Sequence, residues 1–329
     1  MFRAILEPCV LRLPTNLSVW MKSTHDLISA IDGLEGDVGW ISSIFGGPWE
    51  MKFPASVRFV EISTGSRVLE INHPAAKGRI AYHGAQVLEW QPTGQEPVIY
   101  LSPAAVFREG KAIRGGIPIC WPWFNAHPSD PEKPSHGFAR TRFWNLESVR
   151  ENDGFVTVRF SMNEGPWAAF LTIKMGKELD ISLESKNLGD EPIPISGALH
   201  SYLKVGDIDR VRIDHLNGAE YLDTVGTPTK RTQQGAVVIE GEVDRIYASR
   251  ERLEVVDESM RRTIVIRKEG SPSTVVWNPW IEKAAALDDL PDDGYKDFIC
   301  VETAIANDLA VNLEPQASII LRTILSVLE

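Results

Sequence analysis

The sequence predicts an all-β protein, and three observations carry that expectation. Short runs rich in Val, Ile, Phe and Thr recur from Ser56 onward, among them VRFVEI, RVLEINH, QVLEWQP, FVTVRFSM, ELDISLES, RTIVIRK and SIILRTIL. Many alternate apolar with polar residues, the pattern of half-buried antiparallel strands. Helical spacing is scarce, and its best candidate is a short piece near Ile281–Leu287. Strands at this spacing, with no helices between them, predict a large antiparallel sandwich or barrel.

Taken in order, the chain begins with a segment of another kind. Residues 1–50 include the glycine-rich GLEGDVGWISSIFGGPWE, which has no clear period, and the start lacks an apolar core followed by a small-residue cleavage site. We expect a poorly ordered extension over 1–50 and one β domain over 51–329, since no composition break follows Pro54. Later candidate strands are GRIAYHG, PVIYLS, FLTIKM, VRIDHL, AVVIEG, STVVWNP and FICVET.

Charge and cysteine usage exclude several classes. The net charge of −11 argues against nonspecific nucleic-acid binding, which needs clustered Lys and Arg. Cys9, Cys120 and Cys300 are odd in number and widely spaced, so neither a disulfide framework nor a CxxC pair is expected. No apolar run is long enough to span a membrane. Nucleotide, esterase and zinc-protease motifs are missing, and no histidine pair has metal-ligand spacing, so neither cofactor nor metal is expected. A cytoplasmic monomer is the default.

One stretch stands out locally, Phe107–Trp144, with Arg108, Arg114, Arg140 and Arg142, His127 and His136, and the aromatics Trp121, Trp123, Phe124 and Phe138. Its prolines exclude a long helix, while Gly115, Gly116 and Gly137 permit tight backbone geometry. Flat aromatic faces beside fixed cations suit a polyhydroxylated ring that carries an anionic group.

Polar residues at strand ends come next. His136 lies in SHGFAR beside a glycine, and His200 in SGALHSYLKVGDI has a semi-buried setting in which a histidine can serve as a general acid, although a structural hydrogen bond is the commoner role for either. Glu302 follows Ile299, Cys300 and Val301, so it either faces solvent or serves, because burying a lone carboxylate is costly. Asp207 and Asp244 read singly as surface or turn residues, and Trp277 and Trp280 as core.

Seven segments in order, YHGAQVLEWQP, KAIRGGIPICWPWF, HGFAR, ALHSYLKVGDI, EVDRIY, VVWNPW and DDGYKDFICVETA, together resemble the hexose-6-phosphate mutarotases, or glucose-6-phosphate 1-epimerases, of the aldose 1-epimerase-like superfamily. The resemblance spans about residues 80–304. It implies a large antiparallel β-sandwich of the galactose mutarotase-like type with a carbohydrate cleft. It places the acid on His200 and the base on Glu302, and substrate contacts on His136, Arg114 and Asp244. Arginine matches phosphate oxygens in bidentate fashion, so Arg114, with Arg108 and Arg140 in support, is expected to hold the phosphate. The substrate expected is a small hexose phosphate. An epimerase of unphosphorylated sugars and a noncatalytic carbohydrate-binding protein are the alternatives. A glycoside hydrolase would need a second carboxylate beside Glu302.

Overall fold

The computed structural model describes residues 10–12, 18–20, 52–63 and 66–328. The chain divides into two compact units, residues 1–51 and 52–329. In the first, strands Val10–Arg12 and Ser18–Trp20 pair antiparallel. The expectation of a poorly ordered segment over 1–50 otherwise falls outside the described residues.

The second unit is built of antiparallel sheets, as the alternation predicts. The longest has nine strands. From one edge it runs Asn145–Glu151, Phe155–Glu164, Trp167–Gly176, Leu179–Asn187, Ser318–Leu328, Arg262–Glu269, Leu253–Asp257, Val211–Asp214 and Val237–Val238. Strand Leu179–Asn187 shows the expected period of two, every odd-numbered residue being buried and every even one partly exposed. A four-stranded sheet, Val57–Ser63, Ser66–His73, Ala76–Ala81 and Val87–Pro92, packs beside it. There the fully buried Trp90 donates its indole N–H to the Gly176 carbonyl at 3.0 Å.

The second large sheet carries the site, and we number its strands in chain order. They are β1 (Ile119–Cys120), β2 (Gly197–Leu199), β3 (Tyr202–Lys204), β4 (Glu220–Asp223), β5 (Thr229–Thr232), β6 (Val243–Tyr247), β7 (Ser273–Asn278) and β8 (Phe298–Ile305). The spatial order is β5-β4-β6-β7-β8-β2-β1, with β3 also paired to β8. Every residue of β8 is buried, and this central strand of the sheet also packs against strand Ser318–Leu328 of the nine-stranded sheet.

Local differences from the sequence expectation have simple causes. The run Pro97–Ser102 contributes only single bridges, Ile99 to Leu203 and Leu101 to Gly115. Strand β5 (TKRT) is exposed throughout and has no apolar periodicity to betray it. The expected helix is present as α1, Trp280–Ala285.

The loop from Phe107 to Trp144 departs furthest from expectation. Trp121, Trp123, Phe124 and Phe138 are all at most 9% exposed. Trp121 and Trp123 meet Phe138 edge-on at 5.6 and 5.7 Å, and Trp121 Nε1 donates to Ser185 Oγ at 2.9 Å. These rings are therefore the loop's own core and its anchor to the nine-stranded sheet, not a stacking platform for ligand. The close approach of backbones around them requires glycine. Gly137 has φ +71°, and a Cβ there would lie 2.0 Å from the Trp121 carbonyl oxygen.

That geometry gives a graded expectation. Gly94→Ala, at φ +84° with open space around the new methyl, should cost about 1–2 kcal/mol from backbone strain alone. Gly137→Ala adds a backbone collision and should cost about 3 kcal/mol or more. Urea unfolding midpoints of the two variants check the order.

Candidate active site

Cross-strand pairing decides which side chains share a face. Asp244 on β6 pairs with Trp277 on β7, and Trp277 pairs with Cys300 on β8. Tyr202 on β3 also pairs with Cys300, while Glu302, two residues further along β8, pairs with Val275. Partners directly opposite, and residues two apart, lie on one face of a sheet. Asp244, Trp277, Tyr202 and Glu302 therefore line the same side.

His200 reaches that side by the alternation of its own segment, two residues before Tyr202. Strands β2 and β3 pair with β8 in one register, Leu199 opposite Thr303 and Tyr202 opposite Cys300, so His200 falls opposite Glu302. The His200 N–H donates to the Pro118 carbonyl at 3.0 Å, and the Ser201 carbonyl accepts from the Val301 N–H at 3.2 Å. Side chains directly opposite on one face are cross-strand neighbours. This placement brings His200 Nε2 to 3.2 Å from Glu302 Oε1, with side-chain exposures of 10% and 2%. Glu302 thus does not face solvent.

The surroundings push the two partners in opposite directions. Burial, followed by the Asp244 carboxylate, raises the Glu302 carboxyl well above its ordinary range. Burial, then His136, Arg140 and Arg114, holds the His200 imidazolium well below its own. Asp244, read singly as a surface or turn residue, is half-buried on the shared face, and its carboxylate acts electrostatically on Glu302. Burial raises Asp244 too, against a lowering contribution from Thr224.

Arg114 stands at the edge of this group under tight control. Its Nε donates to Asp289 Oδ1 at 2.9 Å and its Nη1 to the Tyr202 hydroxyl at 3.0 Å. Burial would lower its basicity, but Tyr202 and Asp289 together raise it. Lys111 Nζ lies 3.9 Å from Asp289 Oδ2. His136, at φ +65°, packs edge-on against Phe124 at 5.0 Å, with its ring 6.3 Å from that of His200. Arg140 donates to the Ser135 carbonyl at 3.1 Å, and its buried Nε has no protein partner among the described residues. It acts electrostatically on His136, His200 and Glu302.

Of the residues singled out in the sequence, His200, Glu302, His136, Arg114, Arg140 and Asp244 come together. Arg108 lies exposed in a turn closed by the Lys111 N–H, and none of the contacts that tie the cluster together involves it. Trp277 is half-buried and edge-on to His200 at 6.0 Å, so it walls the site instead of filling core. Trp280 is half-buried against Tyr295 at 5.1 Å, away from those contacts. Asp207 accepts from the Asp209 N–H and starts a short turn. Sequence reasoning missed Asp289 and Tyr202 as site components. The only local signal for Asp289 is its place in the acidic turn LDDLPDD. No group of His, Cys, Asp or Glu able to hold a metal is found among the described residues.

The sequence profile of the aldose 1-epimerase family matches residues 67–326. The chain belongs to that family. This epimerase-family chain is 34% identical over 252 residues to an Escherichia coli K12 protein assigned by name as a glucose-6-phosphate 1-epimerase, covering 73% of this chain and 84% of the relative. It is 36% identical over 256 residues to a Cenchrus ciliaris protein of the same assignment, covering 72% and 77%. A Salmonella typhimurium crystal structure described as a mutarotase superposes with a TM-score of 0.79 at 30% identity, over 88% of this chain and 99% of that one.

The shifted histidine next to this pair sets an acid limit on stability. Burial, then Arg140 and Arg114, pulls His136 down to about 3, below its unfolded value of about 6.5. Between those values the unfolded chain binds more protons, so the contribution is present above pH ~6.5 and is lost as pH falls toward ~3. Replacing His136 with Gln should flatten this acid limb. Urea unfolding of both proteins at pH 7 and pH 5 should show a smaller difference for the variant.

Proposed function

We propose that this chain interconverts the α and β anomers of a hexose 6-phosphate, with glucose 6-phosphate the first substrate to test, by general acid–base opening and closing of the ring. The observation that carries the reading is the buried 3.2 Å contact of His200 and Glu302 beside the guanidinium of Arg114. The names of the relatives support the same substrate class.

Anomer exchange requires one proton to leave the C1 hydroxyl and one to reach the ring oxygen. Both oxygens are bonded to C1, so the groups that serve them must stand side by side, as His200 and Glu302 do. Glu302 takes the hydroxyl proton while His200 donates to the ring oxygen. The C1–O bond of the ring breaks and a carbonyl forms at C1. Rotation about C1–C2 presents the other face, and the same groups return the protons in reverse. Burial raises the proton affinity of Glu302, which strengthens it as a base once it is ionised.

Arg114 keeps its Nη2 edge for phosphate because Nε and Nη1 are already engaged by Asp289 and Tyr202. Arg140 adds positive charge, and neutral His136 and the carboxylate of Asp244 offer partners to sugar hydroxyls. Arg108 plays no part in this arrangement. All of these groups come from one chain, so the reaction needs no partner subunit. Hexose phosphates are metabolites of the cell interior, and we place the protein there.

The test is the anomer exchange rate of glucose 6-phosphate, glucose and galactose by NMR. Fast exchange of the phosphate sugar, reduced about 10²- to 10⁴-fold in Glu302→Gln, supports the reading. Arg114→Ala should weaken sugar-phosphate binding about 10- to 100-fold, the loss of a charge-assisted hydrogen bond, and free-sugar binding much less. Equal acceleration of all three sugars would move the assignment to free aldoses, and binding without acceleration would leave a carbohydrate-binding protein.

A further inference from the structure

Arg114 and His200 are joined by one intermediary. Tyr202, 2% exposed, accepts from Arg114 Nη1 at 3.0 Å through its hydroxyl. Its ring stacks on the His200 imidazole with centroids 4.8 Å apart and planes 13° apart. The side chain that fixes the phosphate-binding cation is thus also the one that lies flat against the acid.

Around His200 stand charged or titratable groups from each neighbouring element. They are Glu302 and Cys300 on β8, Asp244 on β6, His136 and Arg140 in the loop, and Arg114 beyond Tyr202. Burial and the cations disfavour an imidazolium at His200, yet donation of a proton to the ring oxygen calls for one. His200 Nδ1 is buried without a side-chain partner among the described residues, and only the residue's own backbone favours the charged form.

We propose that the phosphate dianion of the substrate, bound at Arg114, activates as well as anchors. By offsetting the cationic charge beside His200 it lets that histidine take up the proton it passes to the ring oxygen, with Tyr202 as the positioning residue between them. This inference rests on the mutarotase reading. Asp289 already offsets part of the Arg114 charge, but a phosphate monoester brings about −1.5 to −2 at neutral pH, more than one carboxylate supplies. The proton count closes. His200 takes one proton from solvent as the dianion binds, gives it to the ring oxygen as the C1–O bond breaks, and recovers it on closure. That proton returns to solvent when the product leaves.

A phosphate that activates need not be attached to the sugar. The experiment therefore follows anomer exchange of free glucose by the full-length protein while phosphite dianion is added at constant ionic strength. We expect saturable acceleration of about tenfold or more, since one unit of upward shift at His200 raises its protonated fraction about tenfold. The pH profile for glucose should move upward by about one unit in phosphite, which a merely structural role of Arg114 would not produce. Arg114→Ala should abolish the activation, and Tyr202→Phe, which keeps the stacked ring but loses the hydroxyl, should raise the half-saturating phosphite concentration. A flat or purely inhibitory phosphite response alongside fast glucose 6-phosphate exchange overturns the activator role alone, as does activation that survives in Arg114→Ala. Failure to accelerate glucose 6-phosphate itself overturns the underlying reading as well.

Discussion

The contact of His200 with Glu302 is the constraint on which the rest of this structure depends. A carboxylate 2% exposed and an imidazole 10% exposed would each be costly to bury alone. Side by side, with Nε2 and Oε1 3.2 Å apart, each lowers the cost of burying the other. The pair exists because β8 runs through the interior and because β2 and β3 pair with it in one register, which sets His200 opposite Glu302. A one-residue slip of that register would turn the His200 side chain to the other face.

Cations approach this pair without neutralising it. Arg114 is held away from Glu302 by its own partners, Asp289 and Tyr202, and Arg140 is tied back to the Ser135 carbonyl. A direct arginine–glutamate ion pair would hold Glu302 ionised and stabilise it as a spectator. Keeping the guanidiniums engaged elsewhere leaves Glu302 with a raised proton affinity while positive charge stays close to it. The glycines at 115, 116 and 137 make this possible, since the loop carrying both arginines must press its backbone against neighbouring chain segments.

Alternation made most of the sheet framework legible in the sequence, because each half-buried strand announces its period locally. Strand β5 escaped, since a wholly exposed edge strand has no apolar period to show. His200 and Glu302 were legible from their polar character within apolar runs and from the order of the surrounding segments. The loop aromatics misled because a Trp beside arginines reads as a sugar platform until burial shows that it packs the loop. Asp289 was invisible for another reason. It meets Arg114 across 175 residues of sequence, and no local pattern encodes a contact of that range. Arg108 shows the converse, a cation near the right residues in sequence that the turn at Lys111 leaves in solvent.

The imidazole opposite Glu302 bears on the choice between ring opening and glycoside cleavage. A retaining hydrolase needs two carboxyl groups about 5–5.5 Å apart, one on each side of the bond that breaks, and an inverting one about 6.5–9.5 Å. Asp244 and Glu302 sit two strands apart and are offset by two residues in register. At about 4.8 Å between strands and 3.4 Å per residue, their Cα atoms are about 12 Å apart. That span is on the scale of a sugar ring with its hydroxyls, which suits the role proposed for Asp244 at the far side of a pyranose. The group within hydrogen-bonding reach of Glu302 is an imidazole, not a carboxyl. An imidazole and a carboxylate at one carbon can move two protons between two oxygens of that carbon, which is the whole requirement of anomer exchange, and they offer no second carboxylate flanking a leaving group.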